Sequence, residues 1–255
     1  MTEREWWKLR APEIRQLPRH TVVIVPVAST EQHGPHLPTE TDCALVSEIA
    51  RRAVALAGER CPVVVTPVVW TGLAEHHMSL GATISLDFPT FAALVKGICR
   101  SLVRQGFGRI LLLNGHGGNV AALTVIVNEI APELGAPIAT TTYWPLAQKG
   151  FAAVLEDQAN VRHACEAETS MMLVVRPERV DMAAVKGLVG PTAPEVADVV
   201  GPGVHRWQSF EARTSHGMIG NPRRASAEKG EKLLDAAAAA VADCIANDAF
   251  WELPA

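Results

Sequence analysis

The stretch Val22-Val23-Ile24-Val25-Pro26-Val27 runs straight into Ala28-Ser29-Thr30-Glu31-Gln32-His33-Gly34-Pro35-His36-Leu37-Pro38-Thr39-Glu40-Thr41-Asp42. Six apolar residues without polar alternation read as a strand buried on both faces, the habit of parallel sheets. Residues 42–56 follow, with Leu45, Ile49 and Ala53 four apart, and read as a helix stopped by Gly58. Strand, polar loop and helix in that order form the opening unit of an α/β fold.

Outward from this unit the pattern repeats. Residues 21–27, 62–69, 109–113 and 137–142 are β-branched or apolar runs and are expected to be strands. A second helix is expected from Thr90 to a stop at Gly106, a third over 120–130 and a fourth over 166–175, ended by Pro177. Residues 187–222 are rich in Gly, Pro and polar residues and read as long loops. Ser226 is a suitable N-cap for a final alanine-rich helix running to 246. No repeat or low-complexity linker interrupts the chain, so residues 1–255 are expected to form a single α/β domain with helices on both faces of a largely parallel sheet. Chemistry in such sheets gathers beyond the carboxyl ends of the strands.

Composition narrows the function classes. The 255 residues carry a net charge of −4 and 48% hydrophobic residues, ample for a core. Basic residues are dispersed, which gives no electrostatic case for nucleic acid or an anionic membrane. The five cysteines have no Cys-x-x-Cys spacing, which argues against a disulfide framework or a cysteine-rich zinc site. No apolar run reaches the roughly 18 residues of a spanning helix. The charged, aromatic start does not read as a secretory signal. A cytoplasmic protein is expected.

Two strands end in polar loops that carry chemistry. The first holds Glu31, His33 and, where the next helix starts, Asp42. In an extended segment residues two apart point the same way, so Glu31 and His33 can face one point and Asp42 can turn back to it. The second is Asn114-Gly115-His116-Gly117-Gly118-Asn119, after Ile110-Leu111-Leu112-Leu113. Its glycines let the backbone pass close to a ligand or metal. A third cluster, His163-Ala164-Cys165-Glu166-Ala167-Glu168, opens a helix. Imidazoles and carboxylates without a thiolate suit zinc, manganese or ferrous iron.

Each feature also has a plainer reading. Glu31 and Asp42 can be caps, and His116 a turn residue. Gly117-Gly118 can cradle a phosphate at the following helix, which would make the chain a non-catalytic phosphate- or sugar-binding protein. Glu166 and Glu168 can complement a helix dipole. His76, His77, His205 and His216 read as surface or loop histidines.

Taken together, Ser29-Thr30-Glu31-Gln32-His33-Gly34-Pro35-His36-Leu37-Pro38, Asp42, Asn114 to Asn119, Glu168-Thr169-Ser170 and Ala225-Ser226-Ala227-Glu228-Lys229-Gly230 resemble the creatinine amidohydrolase (creatininase) family. That resemblance implies a three-layer α/β/α sandwich, commonly a homohexamer, with two divalent metal ions per subunit. It implies Glu31 and His116 on one ion, His33 on the other, Asp42 bridging them, and His163 as a proton-transfer group. It places Trp144 and Gly117 at the substrate pocket.

Two departures bear on this assignment. Creatininase has a loop glutamate where this chain has Gly118. Glu168 is the first choice for the missing ligand and Glu166 the second. No counterpart of a second pocket tryptophan precedes His163, so a member other than creatininase itself is expected. Its small-molecule substrate would hold an amide, cyclic amide or formamide C–N bond. The alternatives are a peptidase of the mycofactocin-precursor type and a hydrolase of an activated C–C bond in a cyclic diketone. The chemistry expected is attack by a metal-activated hydroxide, with His163 contributing a proton transfer worth roughly 10²–10⁴-fold.

Overall fold

A computed structural model describes residues 3–188 and 204–252. Strands β1 (Val22–Val27), β2 (Val63–Val65), β3 (Ile110–Asn114) and β4 (Ile138–Thr142) form one parallel sheet in the order β2-β1-β3-β4. Helices α1 (Ala11–Gln16), α2 (Thr41–Ala57), α3 (Phe88–Arg104), α4 (Val120–Leu134), α5 (Tyr143–Leu146), α6 (Gln148–Ala152), α7 (Glu166–Val175), α8 (Ala227–Ile245) and α9 (Asp248–Trp251) surround it.

The unbroken apolar runs explain the layering. All six residues of β1 and all five of β3 are buried. Along each strand, alternate side chains enter different cores. Val22, Ile24, Leu111 and Leu113 pack with residues of α2, α7 and α8 on one face. Val23, Val25, Val27, Ile110 and Leu112 pack with residues of α3 and α4 on the other. Burying each such side chain stabilises the fold by roughly 1.5–3 kcal/mol. The result is the expected three-layer α/β/α arrangement with a parallel central sheet.

Helix boundaries follow local chemistry. Ser226 Oγ accepts the Lys229 N–H at 3.2 Å and starts α8 where its cap was expected. Asp87 accepts the Thr90 N–H at 2.9 Å, so α3 begins at Phe88, two residues before the expected start. Helix α4 continues past residue 130 to Leu134 despite Pro132, and ends at Gly135 in the left-handed conformation. Gly230 lets α8 lie against α7, since a Cβ there would meet the Ser170 carbonyl oxygen at 2.0 Å. Strand β2 is shorter than expected: Thr66 still donates to Ile24, but Pro67 has no N–H to give, and pairing with β1 resumes only at Val69. Of the expected loop over 187–222, residues 189–203 lie outside the described residues, and 204–221 carry no helix or strand.

Topology places the site. After β1 the chain crosses to β2 on one side, and after β3 it continues to β4 on the other. Adjacent strands whose connections diverge open a crevice at their carboxyl ends. The loops holding Glu31, His33 and His116 stand on the two sides of that crevice.

Candidate metal centre

The loop after β1 brings Glu31 and His33 inward, and α2 contributes Asp42 from its first turn. All three are at most 3% exposed. His116 follows β3, held by Asn114. The Asn114 side chain accepts the His116 N–H at 3.1 Å and donates to its carbonyl at 2.7 Å. Asn119 ties this loop to its neighbours by accepting from the Leu73 N–H and donating to the Ala28 carbonyl. His163 and Glu168 arrive from the start of α7. The Glu168 carboxylate accepts the N–H of Ala164, a non-glycine residue at φ +53° beside His163.

Asp42 lies between two histidines. Its Oδ1 is 3.2 Å from His33 Nε2, and its Oδ2 is 3.2 Å from His116 Nδ1. Glu31 Oε2 is 3.0 Å from His116 Nδ1. Glu168 Oε2 is 4.0 Å from His33 Nε2. Among the described residues, Glu31 with Asp42 and His116 can hold one ion. His33 with Asp42 and Glu168 can hold another, and Glu31, His33 and His163 form a third possible group.

Hydrogen bonds fix which nitrogens face inward. The outer nitrogen of His33, Nδ1, donates to the Glu31 carbonyl at 3.1 Å, leaving Nε2 as the inward lone pair. His116 donates Nε2–H to the Leu73 carbonyl at 3.1 Å, leaving Nδ1. Histidine ligands are typically oriented in this way by a bond from the second ring nitrogen. Glu31 Oε2, His33 Nε2 and Asp42 Oδ2 are buried without a hydrogen-bond partner. Buried polar atoms normally have partners, and these three belong to the side-chain groups that could hold a divalent cation.

Charge supports the same reading. Burial opposes charge on His33, but Asp42, Glu168 and Glu31 outweigh it and raise its pKa to about 10. His116 is likewise penalised by burial, yet Glu31 and Asp42 carry it well above the ordinary imidazole value. Burial and the Asp42 charge raise Glu168 to about 8. Burial works against the Asp42 carboxylate, but the two histidines prevail and lower it. The buried carboxylates thus draw protons into the cluster, onto His33, His116 and Glu168. Divalent ions supply that positive charge without the protons.

The structure brings Glu31, His33, Asp42, His116, His163 and Glu168 into one cluster. Glu166 is directed elsewhere. It accepts the Glu156 and Asp157 N–H groups and pairs with Lys229, fixing the segment that leads to His163. A cleft of about 890 Å³ opens over the cluster, with Trp144 and Gly117 on its wall. The glycine at 118 is a steric requirement. A Cβ there would sit 2.2 Å from the Leu73 carbonyl oxygen, 2.5 Å from His116 Nε2 and 2.9 Å from His76 Cε1. A side chain at this position would press on backbone, whereas Glu168 Oε2 approaches His33 Nε2 at 4.0 Å from α7.

Two histidines expected at the surface or in a loop stand beside the cluster, and of these His77 is buried. His77 is 1% exposed, and its Nε2 lies 3.2 Å from Glu31 Oε1. His76 is half-buried and stacks near His116 at 5.8 Å. Their short 3-10 turn, Glu75–Leu80, carries no periodic signal that marks a buried face. The pair His76-His77 in a loop was the available clue. His205 is exposed and His216 half-buried.

The family model for creatinine amidohydrolase matches residues 7–245. A mycofactocin precursor peptide peptidase from Mycobacterium tuberculosis strain H37Rv is 30% identical over 236 residues, covering 90% of this chain and 85% of that protein. A creatinine amidohydrolase from Pseudomonas putida is 29% identical over 246 residues, covering 89% of each. A creatininase solved in a manganese form superposes with a TM-score of 0.83 at 23% identity, over 97% of this chain and 99% of that one. That last likeness establishes the fold.

Proposed function

Because this chain belongs to the creatinine amidohydrolase family, we propose that it is a metal-dependent amidohydrolase acting on a C–N bond beside a carbonyl. The observation that carries the proposal is the Asp42 carboxylate between His33 and His116, with buried unpartnered atoms on Glu31, His33 and Asp42. Glu31, Asp42 and His116 would hold one ion, and His33, Asp42 and Glu168 the second. Divalent zinc, manganese or iron there would supply Lewis acidity, lowering the pKa of a water and polarising the substrate carbonyl.

The chain's own groups account for proton movement. His163 donates Nε2–H to the Gln32 carbonyl at 2.7 Å, so Nδ1 carries the lone pair and faces the cluster, 3.5 Å from Glu31 Oε1. Burial and the neighbouring His33 hold His163 well below the ordinary imidazole pKa, so the ring is neutral near pH 7 with an open lone pair. It is suited to collect a proton from the attacking water at Nδ1 and return it to the leaving nitrogen. Trp144 and Gly117 would line the substrate's path.

A peptide is the second reading. It is favoured by the 30% identity to the mycofactocin precursor peptidase and by a cleft of about 890 Å³, far larger than a small cyclic amide requires. In keeping with the family we propose a cytoplasmic homo-oligomer, hexameric by resemblance. Light scattering of the purified protein tests the assembly. No helix among the described residues is long and apolar enough to cross a membrane.

The function is tested by elemental analysis of purified protein beside a panel of creatinine, formamides, lactams and short peptides, with and without chelator. A chelator-sensitive hydrolysis supports the proposal. Metal-free protein that binds a phosphate or sugar and hydrolyses nothing would replace it with a binding function.

A further inference from the structure

The two oxygens of Glu31 have different surroundings. Oε2 is buried without a hydrogen-bond partner and lies beside His116, while Oε1 lies 3.2 Å from His77 Nε2. The proton on His77 can be placed from its neighbours. The Gln32 carboxamide is fixed at both ends, since Oε1 accepts the Gly34 N–H at 2.9 Å and Nε2 donates to the Gly217 carbonyl at 3.2 Å. The second hydrogen on Gln32 Nε2 then points to His77 Nδ1 at 2.8 Å, making Nδ1 an acceptor. A neutral imidazole with an acceptor Nδ1 carries its hydrogen on Nε2, the atom 3.2 Å from Glu31 Oε1. Phe210 packs on the ring at a centroid distance of 3.8 Å and holds its plane.

We propose that His77 is a positioning residue for the metal centre. Its Nε2–H, set by the Gln32 carboxamide, occupies Glu31 Oε1 so that Oε2 is presented as a single-oxygen ligand to the ion shared with Asp42 and His116. Among the described residues, His77 is in none of the side-chain groups that could hold an ion, although it also lines the cleft. It acts through Glu31, as outer hydrogen-bond partners commonly do for ligating carboxylates. The same Gln32 residue anchors His163 through its backbone carbonyl. One residue therefore links the ligand-positioning histidine to the proton-transfer group. This inference rests on the two-ion reading above.

The test is zinc titration of chelator-stripped protein against a chromogenic competitor, which resolves two sites without any substrate. In His77→Leu, affinity at the Glu31 site is expected to fall roughly 10–100-fold, with the His33–Glu168 site unchanged. In His77→Gln, whose amide can also donate to Glu31, most of that loss is expected to be recovered. The visible spectrum of the cobalt-loaded protein should change in His77→Leu and return towards wild type in His77→Gln. Wild-type affinity at both sites in His77→Leu overturns the inference, as does an equal loss at both sites with no recovery in His77→Gln. If His77→Leu does not fold, His77→Gln alone decides, because a donor role requires near-wild-type affinity there. Wild-type protein that binds no zinc would instead sink the two-ion reading itself.

Discussion

Nε2 of His33 lies 3.2 Å from Oδ1 of Asp42, both side chains are buried, and the nitrogen has no hydrogen-bond partner. Burial disfavours the charged ring, but Asp42, Glu168 and Glu31 outweigh it and raise the His33 pKa to about 10. Glu168, raised to about 8 by burial and by Asp42, also holds a proton near neutrality. A metal must displace these protons. Loading the chelated protein at pH 7 is therefore expected to release roughly two to three protons per chain, from His33, His116 and Glu168. Calorimetry in buffers of different ionisation enthalpy measures it. Zinc affinity should rise with pH across the neutral range, and a pH-independent affinity would contradict this picture.

Glu168 and Glu166 are two residues apart on one helix, yet their environments separate their roles. Glu168→Gln is expected to weaken the second ion by at least roughly tenfold while leaving the first nearly unchanged. Glu166→Gln should leave both ions bound. It breaks charged hydrogen bonds to Lys229 and to the backbone of Glu156 and Asp157, at a cost of roughly 1–3 kcal/mol in stability. Metal titration and denaturant unfolding together distinguish the two.

Gly118→Ala should be costly and Gly117→Ala nearly neutral. A Cβ at 118 presses on the Leu73 carbonyl that orients His116, whereas one at 117 meets nothing within 4 Å. The strain at 118 is expected to cost roughly 1–3 kcal/mol and to weaken the ion bound by His116. Gly118→Glu should not substitute for Glu168, because the side chain has no space to enter. Melting temperature and metal content of the three variants provide the check.

The metal-free protein should lose stability on both sides of neutrality. His36 and His76 are held near pKa 4, in each case chiefly by burial. Their folded values lie below the unfolded value of about 6.5. Their contribution is therefore complete above pH 6.5 and is lost as pH falls towards 4. His33 has the opposite sign. Its contribution is complete below about pH 6.5 and lost as pH rises through about 10. Urea unfolding of chelated protein from pH 4 to 10 should trace both flanks, and His36→Gln should flatten the acid side.

The sheet was legible because β1 and β3 are buried on both faces, and uninterrupted apolar runs such as Val22 to Val27 have few other uses. The buried polar cluster was legible because Glu31, His33 and His116 close those runs, where strand ends meet at a divergent crossover. Which of Glu168 and Glu166 faces the cluster was only partly legible, since both open α7 and their surroundings depend on Ala164 and Lys229. His77 was not legible. It reaches the site from an irregular turn, and its position depends on contacts with Gln32 and Phe210 far away in sequence. Short α5 and α6 were missed for a related reason, as tertiary packing of Tyr143 and Phe151 holds them rather than any periodicity.

Asp42 is the group both proposed ions share, so removing it tests the centre most directly. The measurement is metal content per chain, by elemental analysis, of wild type and Asp42→Ala purified side by side, with hydrolysis of the best panel substrate. The account predicts two divalent ions per wild-type chain. It predicts fewer than one per Asp42→Ala chain, with hydrolysis lost. Full metal content together with full activity in Asp42→Ala would contradict it.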